Sequence, residues 1–89
     1  MLKQTLTIIN KLGLHARAAT KLVKLASSFE SAIQVKRQQR EVNGKSIMGV
    51  MLLAAGKGCE IELTIKGADE TEAMSKLSEL ILSGFGEEE

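Results

Sequence analysis

The sequence predicts an α+β domain, a two-layer open-faced sandwich in which a four-stranded antiparallel sheet carries three helices on one face in the order βαββαβα. Three observations predict it. Residues 59–66 alternate apolar Cys59, Ile61, Leu63 and Ile65 with polar Glu60, Glu62, Thr64 and Lys66, the pattern of a strand with one buried face. Two other stretches, beginning near Ala16 and Asp69, repeat their apolar positions at helical spacing. Every strand candidate is half polar, so one face of the sheet stays in water and the helices share the other.

From the N-terminus, Leu2, Gln4, Leu6 and Ile8 fall on one side of an extended chain and Lys3, Thr5, Thr7 and Ile9 on the other, which gives the first strand. Residues 10–13 break it. A helix then starts at Ala16, with Ala19, Leu22, Val23, Ala26 and Phe29 on one face and Arg17, Thr20, Lys21, Lys24 and Ser28 on the opposite one. Residues 32–37 and 40–42, built on Ile33, Val35 and Val42, predict a hairpin joined through Gln38 and Gln39. Asn43 and Gly44 signal a turn, and Ser46 stands before an apolar run where its hydroxyl can cap a short helix beginning at Ile47. Residues 56–58 are expected to end that helix. After the strand at 59–66, Asp69 and Glu72 form a capping-box-like pair. The last helix follows, with Ala73, Met74, Leu77, Leu80 and Ile81 in one stripe. Gly84 and Gly86 stop it, and residues 87–89 are expected to trail into solvent.

A chain of 89 residues closes one modest core, so a single domain over residues 1–89 is expected, without a deep substrate cleft. Its hydrophobic fraction of 44% and lack of proline argue against disorder. Phe29 and Phe85 are the only aromatic residues, which leaves no stacking platform for single-stranded nucleic acid. With 12 basic and 11 acidic residues the net charge is +1, so no overall field marks nucleic acid or an anionic membrane as partner. The lone Cys59 cannot make an internal disulfide, which points to a reducing cytoplasm. The N-terminal residues lack the features of an export signal, and the longest nonpolar run, residues 47–55, is too short to span a bilayer.

The chemistry centres on His15, the only histidine, placed where a loop turns into the first helix. A helix N-terminus presents unpaired amides and the positive end of the macrodipole, an anion site to which the amides of Ala16 and Arg17 would contribute. Neutral imidazole, with an ordinary pKa of about 6.5, has a ring nitrogen free to attack phosphorus near pH 7. The plain alternative is a surface helix cap, but histidine is a poor cap beside Ser, Thr, Asp or Asn. Arg17 in the first turn opposes the dipole unless an anion is bound there, and a guanidinium can grip phosphate oxygens with two parallel hydrogen bonds. Lys21 and Lys24 extend the basic face; alone they are an ordinary solvated helix side.

Residues 47–55 contain no polar side chain. A small domain cannot enclose a helix on all sides, so Val50, Leu53 and Ala54 are expected against the sheet and Ile47, Met48 and Met51 outside, as an adaptable docking patch. Plain core filling competes with that reading on equal terms. A metal site lacks ligands, since one His and one Cys are too few. Cys59 reads as buried filler with no catalytic partner, and no Gly-rich loop exists to hold a nucleotide. No cofactor is expected.

The segments NKLGLHARAA at residues 10–19 and NGKSIMGVM at residues 43–51 together resemble the histidine-containing phosphocarrier family, HPr, of the bacterial phosphotransferase system. Two separated motifs at compatible spacing are far more specific than either alone. The resemblance covers nearly the whole chain and implies a cytoplasmic monomer that accepts a phosphoryl group from enzyme I on Nδ1 of His15. It would then deliver the group to a histidine of an enzyme IIA protein. By the same resemblance Arg17 would hold the phosphate, and Thr20, Lys24, Lys45, Ile47, Met48 and Met51 would dock both partners. Ala18 stands where sugar-transport members often have proline, and Ser83-Gly84-Phe85-Gly86-Glu87 is similar to the ending of nitrogen-branch members, called NPr, which serve regulation. Ser46 aligns with the serine that HPr kinase/phosphorylase modifies in some relatives, although helix capping is sufficient to explain it. Sugar transport, or a regulatory interaction module without chemistry, are the competing functions; nucleic-acid binding fits least.

Overall fold

The computed structural model describes residues 1–87. Its elements are β1 (Leu2–Thr7), α1 (Ala16–Ser27), β2 (Ala32–Arg37), β3 (Arg40–Asn43), α2 (Ile47–Leu52), β4 (Glu60–Lys66) and α3 (Glu70–Leu82), followed by a single 3-10 turn at Gly84–Gly86. The strands form one antiparallel sheet in the order β1-β4-β2-β3. The predicted open-faced sandwich is thus the observed one.

Register follows the alternation. Ile65 of β4 stands between Leu2 and Ile33, Leu63 between Gln4 and Val35, and Ile61 beside Leu6. This row of apolar side chains, with Val42 packed partly against it, faces the helices. Gln4, at the polar margin of the row, accepts a 3.2 Å hydrogen bond from the Ser78 hydroxyl. α1 buries Ala18, Ala19, Leu22, Val23 and Ala26, while α3 buries Ala73, Met74, Leu77, Ser78 and Ile81. These faces and the sheet enclose one core that also takes in Phe29 and Phe85, and burying a large side chain there contributes on the order of 1.5–3 kcal/mol.

The sequence expectation fails at several boundaries, each for a visible reason. α2 stops at Leu52, not at residues 56–58. Its last carbonyls are taken by arginines of the hairpin, Arg40 donating to Leu52 at 2.8 Å and Arg37 to Leu53 at 3.0 Å. Ala54 then adopts a left-handed φ of 50° and points outward, exposed, where it was expected to be buried. Asp69 does not cap α3: its carboxylate accepts from the amides of Glu30 and Ser31 at 2.9 and 3.0 Å and from the Ser31 hydroxyl at 2.5 Å. It ties the start of α3 to the turn before β2. Cys59 precedes β4 and is only half buried, packed at the margin of the core.

Glu87 does not trail into solvent. Residues 88 and 89, named with it in that expectation, lie outside the described residues.

Candidate functional site

The loop that delivers His15 is locked before the helix begins. Gly13 has a φ of +65°, and a Cβ there would run into the Ala55 carbonyl oxygen and the Gly56 Cα. Only glycine suits both the conformation and the close approach. The next amide, Leu14, donates to that same Ala55 carbonyl at 2.8 Å, and buried Asn10 donates through its side chain to the Gly13 carbonyl at 2.8 Å. The segment after α2 therefore serves as a backrest for the loop.

His15 occupies the N-cap position of α1 with extended backbone angles. Its Nδ1 accepts from the Arg17 amide at 3.3 Å, and its Nε2 lies 2.5 Å from a carboxylate oxygen of Glu87. The other Glu87 oxygen accepts from the Asn10 side-chain amide at 2.9 Å. That amide, more than the contact with the ring, holds the Glu87 carboxyl below the usual carboxylate range, with partial burial opposing it. The side-chain oxygen of Asn10, Oδ1, is buried and has no hydrogen-bond partner among the described residues.

Sequence reasoning missed Glu87. It reaches the ring because three residues before it turn the chain in the left-handed region: Gly84, Phe85 and Gly86 have φ of 69°, 60° and 70°. For a phenylalanine this conformation costs on the order of 1–2 kcal/mol and persists only where its surroundings impose it. Here Phe85 is buried in the core and its carbonyl accepts from the Lys21 ammonium at 2.7 Å. A signal existed: in a chain nearly free of aromatic residues, a phenylalanine between two glycines marks an anchored turn.

Arg17 is exposed in the first turn of α1, where no acidic residue stands. No hydrogen bond or ion pair of its guanidinium is found among the described residues, and its backbone amide is the one that faces Nδ1. Thr20, one turn on, is half buried and its hydroxyl donates to the Ala16 carbonyl at 2.7 Å. Lys24 is exposed near the end of the helix.

α2 lies alongside α1 in the opposite sense. Near its start, the Lys45 ammonium donates to the Phe29 carbonyl at 2.7 Å, beyond the far end of α1; at its other end the chain runs into Ala55, the backrest of the His15 loop. Twelve residues of α1 separate the two places, roughly 18 Å at 1.5 Å per residue. Lys45 is thus tied down and distant from the ring. Val50 and Leu53 are buried as expected, at 0% and 3% exposure, whereas Met48 and Leu52 are exposed by 75% and 59%, with Ile47 and Met51 also outside. Ile47, Met48 and Met51 are thus exposed as expected, and Leu52, which was not anticipated, is exposed with them.

Ser46 caps α2, its hydroxyl accepting from the Gly49 amide at 3.1 Å. Among the described residues no helix is long and apolar enough to cross a membrane.

Comparison with known proteins agrees with this geometry. Residues 2–83 match the family described as "PTS HPr component phosphorylation site". "Phosphocarrier protein HPr" of Neisseria meningitidis serogroup A is 58% identical over 89 residues, covering 100% of both chains. The protein of that name from Cupriavidus necator is 55% identical over the same length, again covering 100% of both. Among solved structures, HPr-C-His from Thermoanaerobacter tengcongensis superposes with a TM-score of 0.96 at 47% identity, covering 100% of each chain.

Proposed function

The chain belongs to the HPr family of phosphotransferase-system phosphocarriers, and we propose that His15 is its phosphoryl acceptor, charged on Nδ1 by phospho-enzyme I and discharged to a histidine of an enzyme IIA protein. The observation that carries this reading is the placement of Nδ1 against the Arg17 amide at the mouth of α1. Once Nδ1 bonds phosphorus it can no longer accept that hydrogen bond, and the amide is left beside the new phosphoryl oxygens. The first amides of a helix and its dipole favour the charge gained there.

Arg17 supplies the mobile cation, and its planar fork matches the oxygens of a phosphoryl group. Phosphoryl transfer asks a protein chiefly for positioning and charge stabilisation. A shallow site suffices because each partner completes it. Thr20, Lys24 and the patch of Ile47, Met48, Met51 and Leu52 form the docking surface in this reading, and donor and acceptor compete for it. Lys45 belongs to this surface as well, its ammonium also holding the start of α2 through the Phe29 carbonyl. In this reading the protein works in the cytoplasm as a monomer, and this chain forms one phosphocarrier domain.

Within the family we assign the chain to the nitrogen-related regulatory branch, on the strength of Ala18 and the glycine-flanked Phe85. Sugar transport is the second reading, favoured by the plain name HPr of its relatives. Incubation with enzyme I and phosphoenolpyruvate should add one acid-labile phosphate to His15, detectable by mass spectrometry. A chain that stays unmodified beside every competent enzyme I refutes the carrier reading. Comparing enzyme I from the sugar and nitrogen branches in the same assay tests the branch by relative charging rate.

A further inference from the structure

We propose that Glu87, held by Asn10, is a positioning residue for phosphoryl transfer: it fixes the His15 proton on Nε2, keeps Nδ1 free to attack, and balances the positive charge of the phosphorylated ring. The proposal rests on the carrier reading of His15 and assigns a role to the C-terminal turn that the reading leaves unused.

Three observations converge on it. One Glu87 oxygen lies 2.5 Å from Nε2 while Nδ1 accepts from the Arg17 amide. An ionised carboxylate only accepts hydrogen bonds, so both contacts are satisfied by a single neutral tautomer, with the proton on Nε2. The carboxylate itself is aimed by the 2.9 Å bond from Asn10, and Asn10 also fastens the Gly13 carbonyl in the loop ahead of the ring. The loop and the carboxylate thus share one anchor. Finally, the left-handed turn through buried Phe85 brings Glu87 to this place across 72 residues of sequence. Carboxylates perform the same service for the catalytic histidine of serine-protease triads.

The electron count shows what the carboxylate does. The Nδ1 lone pair forms the new N–P bond, the bond from phosphorus to the donor nitrogen breaks, and its electron pair leaves with the donor imidazole. His15 keeps its Nε2 proton, so the phosphorylated ring is an imidazolium facing the Glu87 carboxylate. Onward transfer returns the N–P pair to Nδ1 and restores the neutral ring. Neither step requires His15 to exchange a proton with water.

Glu87→Gln is the informative variant. Its carbonyl can still accept from Asn10, but its amide presents a donor to Nε2 and drives the proton to Nδ1. Nitrogen-15 chemical shifts of the uncharged ring, above its titration, should report Nδ1 unprotonated in the wild type and a shift towards the opposite tautomer in the variant. Charging by phospho-enzyme I, measured where both proteins remain folded, should slow by roughly tenfold or more, as for a catalytic histidine left in the wrong tautomer. Glu87→Asp should recover part of both effects.

Phosphoramidate supplies a phosphoryl group without a partner protein. Hydrolysis of ring phosphate made that way should retain its fast, protonated-ring regime to a higher pH in the wild type than in Glu87→Gln. Identical ring shifts, charging rates and hydrolysis profiles in the two proteins overturn the positioning role. A wild type that phospho-enzyme I cannot charge refutes the carrier reading separately, because the ring shifts and the phosphoramidate experiment do not depend on that donor.

Discussion

The mouths of α1 and α2 solve the same local problem with different residues. Ser46 caps α2 through a hydroxyl 3.1 Å from the amide three residues on, the ordinary arrangement. His15 caps α1 through a ring nitrogen 3.3 Å from an amide only two residues on, a longer contact that leaves the nitrogen available. The serine oxygen is committed to its helix. The histidine nitrogen is only lightly held, while the opposite side of the ring is gripped by Glu87. A group can serve both as cap and as nucleophile when its orientation comes from elsewhere.

Replacing each residue separates the two roles. His15→Ala should abolish phosphate acceptance, while stability should fall by about 0.5 kcal/mol for the long cap bond, the low end for N-caps, together with the lost contact to Glu87. A charging assay and a denaturant titration on the same protein read both. Next in size is Gly13→Ala, behind the α1 mouth: a methyl group in the left-handed region and against the Ala55 backbone should destabilise the fold by roughly 2–4 kcal/mol. The denaturant midpoint should fall with its slope unchanged.

At the other mouth, Ser46→Ala should lower stability by about 1 kcal/mol and leave charging intact. Ser46→Asp keeps a capping oxygen, so its stability should stay near that of the wild type. It also places negative charge beside the exposed patch, and slower charging is expected if enzyme I docks there through an acidic surface. Wild-type charging kinetics in this variant would remove α2 from the docking surface.

The third helix sharpens the contrast most finely, because the residue at its mouth is a good cap that does not cap. Asp69 gives its carboxylate to the Ser31 hydroxyl and to the amides of Glu30 and Ser31, and these bonds, the hydroxyl first, hold it below its ordinary value of 3.8 against the opposing effect of burial. In the unfolded chain the carboxyl takes up its proton at higher pH. The resulting stabilisation is therefore complete above the ordinary value and is lost as pH falls through the lowered one. Denaturant midpoints measured down the acid limb should show this slope in the wild type and a shallower one in Asp69→Asn.

These mouths also show which features sequence alone can supply. The four strands, the face of α1 and the cap of Ser46 follow from periodicity and local hydrogen bonding, and all were legible. His15 and Arg17 could be placed because both belong to one helix start. Glu87 could not, since its partner lies 72 residues away and a short glycine-flanked tail has no period to read. Ala54 leaves the helix although alanine is a good helix former, because the arginines of the hairpin and the loop behind His15 claim the carbonyls around it. Asp69 matched a capping pattern but found stronger partners in a turn far away in sequence. Local rules hold until a distant group offers a better bond.

The sheet has one further consequence. Thr5 pairs with Glu62 in the register of β1 and β4 and belongs to the row that faces away from the helices, while the ring and the apolar patch lie on the helical side. A dye or a resin linkage attached at Thr5 would stand behind the molecule and leave its front unobstructed. The protein can be tethered by its back and still be approached from the side that matters.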